Sequence, residues 1–178
     1  LRKQTGSGMT DCKKALVEAN GDFEQAIEIL RKKGQKIAAK RADRATSEGA
    51  AIAKTTADGK TGIVIVLACE TDFVAKNADF VKFANQIADA AIANLPESNE
   101  QLLTLSVEGG TIADRLIEET GRIGEKIEVS KYEKLSSELV VPYIHAGNRI
   151  GVLVAFNKAG GDNFIAAGKD VAMQVAAM

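Results

Sequence analysis

Apolar positions in the first thirty residues recur at helical spacing. Met9, Cys12, Leu16 and Ala19 fall three or four apart, as one face of a helix requires. Asn20-Gly21-Asp22 then supplies a stop and a fresh N-cap, with Gln25 in the capping-box position, and Phe23, Ile27 and Leu30 form a second stripe. Gly34 is expected to end this helix. With Leu1-Arg2-Lys3 as the tail of an earlier helix, residues 1–34 read as a small three-helix module whose core is marginal by itself.

From Ala50 the period shortens. Ala50 to Thr56, a turn at Asp58-Gly59 and the apolar run Ile63 to Cys69 predict a β-hairpin whose second strand is buried on both faces. Glu70 to Lys76 leads into a helical stretch with Phe80, Phe83, Ala84, Ile87 and Ala91 on one face, stopped by Leu95-Pro96. Ser98 with Gln101 predicts a short capped helix, and Thr111 opens another that Gly121 or Gly124 ends. Alternation around Ile127 and Val129 predicts a strand, and Leu139 to His145 and Arg149 to Asn157 form a hairpin turned at Ala146-Gly147-Asn148. A last helix places Ile165, Val171, Ala172, Val175 and Met178 on one face. The expected fold is α+β: a helical module (1–34), a basic linker or solvated helix (35–49), an α+β core unit (50–136) and the start of a second (137–178).

Composition narrows the function. An apolar content of 46% in 178 residues supports packed domains, and the seven-residue run Ile63 to Cys69 is too short to cross a bilayer. A net charge of −1 and 4% aromatics without Trp argue against a nucleic-acid binder, since neither a basic field nor stacking platforms are present. The charge is uneven: residues 1–44 hold eleven Lys and Arg against six acids, and the excess is concentrated between Arg31 and Arg44. Two cysteines without a C-x-x-C exclude a disulfide scaffold or thiolate zinc site and fit a reducing, cytoplasmic setting.

Enzymatic chemistry finds little to work with. His145 is the single histidine and stands beside a turn with no nucleophile motif around it. Gly6-Ser7-Gly8 and Gly59-Lys60-Thr61 lack the spacing of a phosphate loop, so no nucleotide cofactor is expected. Cys12 reads as a packed cysteine or, beside Lys13 and Lys14, as a reactive one. The most informative segment is Asp72-Phe73-Val74, where a buried strand hands over to a helix. Phe73 either packs inward or projects as an apolar wedge, which in a partner's pocket is worth roughly 1.5–3 kcal/mol.

Leu1-Arg2-x-x-Thr5-Gly6-x-Gly8-Met9-x-Asp11-Cys12-Lys13-Lys14-Ala15-Leu16 resembles the N-terminal signature of the translation elongation factor Ts family, and Thr71-Asp72-Phe73-Val74-Ala75-Lys76 resembles its second signature. Asn20-Gly21-Asp22 and His145-Ala146-Gly147-x-Arg149-Ile150-Gly151-Val152 are also similar to the family. The resemblance spans the chain, and the family's chain is expected to begin somewhat earlier and to continue past Met178. It implies that residues 1–34 resemble a ubiquitin-associated domain, and that the chain is a guanine-nucleotide exchange factor rather than a chemical catalyst. The implied partner is elongation factor Tu, GDP-bound or nucleotide-free, with a homodimer of that complex left open and no direct contact with nucleic acid or membrane. The implied setting is the bacterial cytosol or an organelle matrix or stroma. By resemblance Asp72, Phe73 and Val74 form the wedge near the partner's Mg²⁺ and phosphate site, Arg2, Met9, Thr10 and Lys13 face the same G domain, and His145 is a lesser contact. Core filler remains the other reading of Met9. A pure adaptor acting through residues 1–34 is the competing function.

Overall fold

The computed structural model describes residues 1–178, the side chains of 162 and 163 excepted. Three helices open the chain: α1 (Arg2–Thr5), α2 (Met9–Glu18) and α3 (Phe23–Arg41). Asp22 caps α3 by accepting from the Gln25 N–H at 2.9 Å, which satisfies one of the free donors of the first turn. Ala15, Ala19 and Ala26 are the buried centre of this small bundle. Cys12 is also buried and packed, whereas Met9 lies off that face and is 67% exposed.

Gly34 does not end its helix. α3 continues through it to Arg41, because Gly34 is the point at which α3 crosses α7 (Ile112–Ile123). A Cβ on Gly121 of α7 would stand 2.6 Å from the Gly34 Cα, so two glycines are what allow the helices to approach. Part of the basic stretch after residue 34 is therefore helix, with Lys36 and Lys40 facing solvent and Arg41 turned onto Glu70.

The central sheet has the order β1 (Glu48–Thr55), β2 (Thr61–Cys69), β5 (Glu128–Ser136), antiparallel throughout. Four helices separate β2 from β5, and the first two are α4 (Asp72–Ala75) and α5 (Ala78–Asn94), so the passage from Glu70 into the expected helical stretch is divided. Asn77 divides it by capping α5, accepting from the Asp79 N–H at 2.8 Å. α6 (Asn99–Thr104), the short pair β3 (Ser106–Val107) and β4 (Gly110–Thr111), and α7 complete this unit. Ser98 and Thr111 cap α6 and α7, and Gly124, with φ 82°, closes α7. The β3–β4 pair carries too few residues for any periodicity to show it.

Ile52, Ile63, Ile65 and Leu67 face Phe80, Phe83 and Ile87 of α5 in the main core. The second face of β2 is only half-buried at Val64 and Val66, less than the sequence implies. What covers it is the hairpin β6 (Leu139–His145) and β7 (Ile150–Phe156), whose Val140 and Leu153 come down over Gly62. The hairpin tip reaches the open edge of β1: the Ala51 N–H donates to the Asn148 carbonyl at 2.7 Å, and the Asn148 amide donates to the Ala51 carbonyl at 3.2 Å.

α8 (Asp162–Ala177) lies on the outer face of this hairpin, and of the residues expected on its packing face Ala172 is the one fully buried. Gly168 and the fully buried Ala172 approach the hairpin, with a Cβ at Gly168 only 2.8 Å from Val141. Ile165, Val171, Val175 and Met178 are exposed. Small residues admit the helix closely, so Gly168 and Ala172 make the contact while the larger apolar side chains beside them stay in solvent. The architecture is α+β, with N-terminal helices followed by antiparallel sheet and helices.

Candidate functional site

Phe73 sits on α4, one turn of helix directly after the buried end of β2, and 85% of its surface is open to solvent. Its neighbours Val74 and Ala75 pack against the main core. A four-residue helix pays the nucleation cost without enough bonds to repay it, so α4 depends on its surroundings. Those surroundings turn the Val74 side inward and leave Phe73 outward. Asp72, also solvent-facing, pairs with Lys76 at 2.6 Å one turn on. The hydrogen bond from Lys76 holds the Asp72 carboxyl below the usual carboxylate range. A phenyl ring and a carboxylate thus stand side by side on a rigid junction.

Two glutamates brace that junction from behind. The Glu125 carboxylate accepts from the Glu70 N–H at 3.1 Å, the Thr71 N–H at 3.0 Å and the Thr71 hydroxyl at 2.7 Å. Reciprocally, the Glu70 carboxylate accepts from the Lys126 N–H at 2.7 Å, and its two oxygens accept from one terminal nitrogen of the Arg41 guanidinium at 2.8 and 3.0 Å. The Lys126 N–H and Arg41 hold the Glu70 carboxyl below its ordinary value. Burial pushes the neighbouring Cys69 thiol up to about 11, which keeps it protonated and unreactive at neutral pH. Arg41 closes the last turn of α3, so the long N-terminal helix ends on the base of the Phe73 junction.

The N-terminal bundle presents a second surface. Arg2, Met9 and Lys13 rim an open, mostly apolar groove with Leu1, Leu16 and Val17, and Val17 is 70% exposed. Thr10 is exposed but lies outside this groove. Val17 is not among the residues that the sequence pattern picks out, since it falls on the solvent side of the α2 stripe, where an isolated valine is a weak signal.

His145 is half-buried at the end of β6, its Nδ1 2.9 Å from the Tyr143 hydroxyl. Glu48 pairs in register with Cys69, two residues before Thr71, and Arg149 reaches Glu48 at 3.8 Å. The His145 hairpin end and the Phe73 junction therefore occupy the same end of the central sheet. Arg2, Met9 and Lys13 belong to a separate surface, joined to the junction through α3. Gly6 and Gly59 have turn roles at positive φ, closing α1 and the β1–β2 hairpin. Among the described residues no helix is long and apolar enough to cross a membrane, and no group of three or more His, Cys, Asp or Glu is placed to hold a metal.

A family model described as Elongation factor TS matches residues 70–178, more than half of the chain. Over its whole length the chain is 55% identical to Elongation factor Ts of Amoebophilus asiaticus and 56% identical to that of Christiangramia forsetii, spanning 64% of each. Against Elongation factor Ts of Rhodopirellula baltica it is 47% identical and spans 54%. The chain thus covers less than two thirds of the length of these curated relatives.

Proposed function

Because the chain belongs to the elongation factor Ts family, we propose that it acts in translation elongation as a guanine-nucleotide exchange factor for elongation factor Tu, promoting GDP release without chemistry of its own. The observation that carries this reading is Phe73: a large apolar side chain 85% exposed at a junction braced by two glutamates. Exposed phenyl rings on rigid supports suit a partner's pocket, whereas a core residue would be turned inward.

In this reading the exchange is a linkage. A factor that binds the nucleotide-free partner more tightly than the nucleotide-bound one must weaken nucleotide binding by the same ratio. Phe73 enters the partner's G domain near the Mg²⁺ and phosphate site, Asp72 and Val74 set its approach, and His145 adds a contact from the same end of the sheet. One phenyl ring cannot offset the cost of association, so a second surface is needed. Arg2, Met9, Thr10 and Lys13 on the helical module supply it, with residues 1–34 docking, the rest of α3 and the short segment up to β1 joining, the unit through residue 136 carrying the wedge and 137–178 beginning the second core unit. The action is cytoplasmic.

The test is stopped-flow release of a fluorescent GDP from elongation factor Tu at fixed Mg²⁺. Release should accelerate with increasing concentration of this chain. Binding without acceleration would favour the adaptor, in which the groove of Leu1, Met9, Leu16 and Val17 holds a partner and the core is passive. Lys13→Ala should weaken the complex with nucleotide-free Tu about two- to fivefold while leaving the maximal release rate in place. An unchanged dissociation constant would remove the N-terminal contact.

A further inference from the structure

We infer that Glu125 is a positioning residue for exchange: its carboxylate, by holding the backbone and hydroxyl of Thr71, fixes the direction in which Phe73 is presented. The inference rests on the exchange reading above and extends it to a side chain on a different element, 54 residues away from Thr71 in sequence. Thr71 is the N-cap of α4, and an N-cap threonine ordinarily turns its hydroxyl onto the free N–H groups of its own helix. Here the Thr71 side chain makes no cap bond and donates to Glu125 at 2.7 Å instead. The start of α4 has given up its local cap for a tertiary one.

The geometry around Glu125 is suited to this. Gly124 closes α7 at φ 82° and delivers the next residue toward the end of β2. One carboxylate oxygen then accepts two successive backbone N–H groups, those of Glu70 and Thr71, and the other accepts the hydroxyl. These are charge-assisted bonds, stronger than neutral ones and fixed in direction. Lys126 returns the contact through its own N–H to Glu70, so segments 70–71 and 125–126 each cap the other. With its ring in solvent, Phe73 is oriented through its backbone, which the Val74 and Ala75 packing and the Cys69 thiol on the Thr71 carbonyl at 3.2 Å hold together with Glu125.

Removing the carboxylate should leave Phe73 present but poorly aimed, and misplacement of a reacting or wedging group by about 1 Å can cost on the order of a hundredfold in rate. The experiment measures the maximal rate of fluorescent GDP release from elongation factor Tu and the factor concentration giving half of it, together with amide hydrogen exchange at residues 71–75 and a melting curve. Glu125→Ala should lower the maximal rate about tenfold or more, shift the half-saturating concentration little, and speed exchange at 71–75. Glu125→Gln should recover most of the rate, since its amide oxygen can accept the two N–H groups while its NH₂ donates to a Thr71 hydroxyl turned to accept. Thr71→Val, which deletes one of the three bonds, should fall between wild type and Glu125→Ala, and Thr71→Ser should match wild type. If Glu125→Ala does not fold, Thr71→Val carries the test. A wild-type maximal rate in Thr71→Val and Glu125→Ala, or unchanged exchange at 71–75, overturns the inference. A wild-type chain that binds Tu without releasing GDP overturns the exchange reading instead, and the amide exchange then still decides whether Glu125 holds α4.

Discussion

Phe73→Ala is expected to fold like the wild type and to lose most of its ability to release GDP from elongation factor Tu. The ring is 85% exposed, so the folded chain loses almost no buried surface when it is cut back. Surface substitutions of this kind stay within about 0.5 kcal/mol of wild-type stability. α4 keeps its anchors, Val74 and Ala75 against the core and Thr71 against Glu125. Burying a phenyl ring in a partner contributes roughly 1.5–3 kcal/mol. Spent on the state from which nucleotide leaves, that amounts to about a ten- to hundredfold change in maximal release rate. Asp72→Ala should cost less, because Asp72 is already satisfied by Lys76 and contributes charge rather than buried area. A Phe73→Ala chain with wild-type release rates, or one that melts well below wild type, would sink the wedge.

The second large effect belongs to a residue with no side chain. In most helix interiors Gly→Ala is stabilising by up to about 1 kcal/mol, through the entropy of the unfolded chain and helix propensity. Gly121→Ala should do the opposite. Its new Cβ would lie 2.6 Å from the Gly34 Cα, and neither backbone can step aside without parting α3 from α7. Overpacking of this sort costs about 1–3 kcal/mol, and a drop in melting temperature on the order of 5 °C follows. The functional loss should exceed the stability loss. α3 carries the groove-bearing bundle at one end and, through Arg41, grips Glu70 at the other. Tilting it changes the spacing between two surfaces that the proposed function has engage one partner at once, and simultaneous engagement is what gives paired contacts their strength. Gly34→Ala is the graded comparison. Its Cβ would meet the Ile117 carbonyl oxygen at 3.3 Å, a distance a small adjustment accommodates, so the effect should be milder. Calorimetric melting and the dissociation constant for nucleotide-free Tu check both variants, and equal behaviour of the two would contradict the crossing geometry.

The same pair of glycines shows where sequence and structure part. Asp22, Ser98 and Thr111 cap their helices as the residue pattern predicts, because capping is a contact over three residues and leaves a local trace. Gly34 reads as a stop by the same local rule, but its meaning lies in Gly121, on another helix. Met9 falls in the apolar stripe of α2 at correct spacing, yet the bundle is so small that alanines fill its centre and Met9 is left in solvent. On α8 periodicity includes the buried Ala172 but not Gly168 beside it, because a pattern of apolar residues does not show that the smallest ones make the close contact. At the candidate site the exposed Phe73 is legible as a choice between wedge and core, from its place after a buried strand. Its supports are not. Glu125 and Arg41 reach Thr71 and Glu70 across 54 and 29 residues, and single charged side chains at such separations carry no spacing signal.

β1 is one of the two outermost strands of the central sheet, and a bare outermost strand is a template on which a strand from another chain can pair and grow into fibres. The turn at Asn148 occupies both the N–H and the carbonyl of Ala51, near the middle of the eight residues of β1. An incoming strand would have to dislodge that turn before it could zip along the edge. The hairpin tip therefore works as a gatekeeper against amyloid-like self-pairing, using one asparagine in place of the charges or prolines with which exposed edges are often blunted.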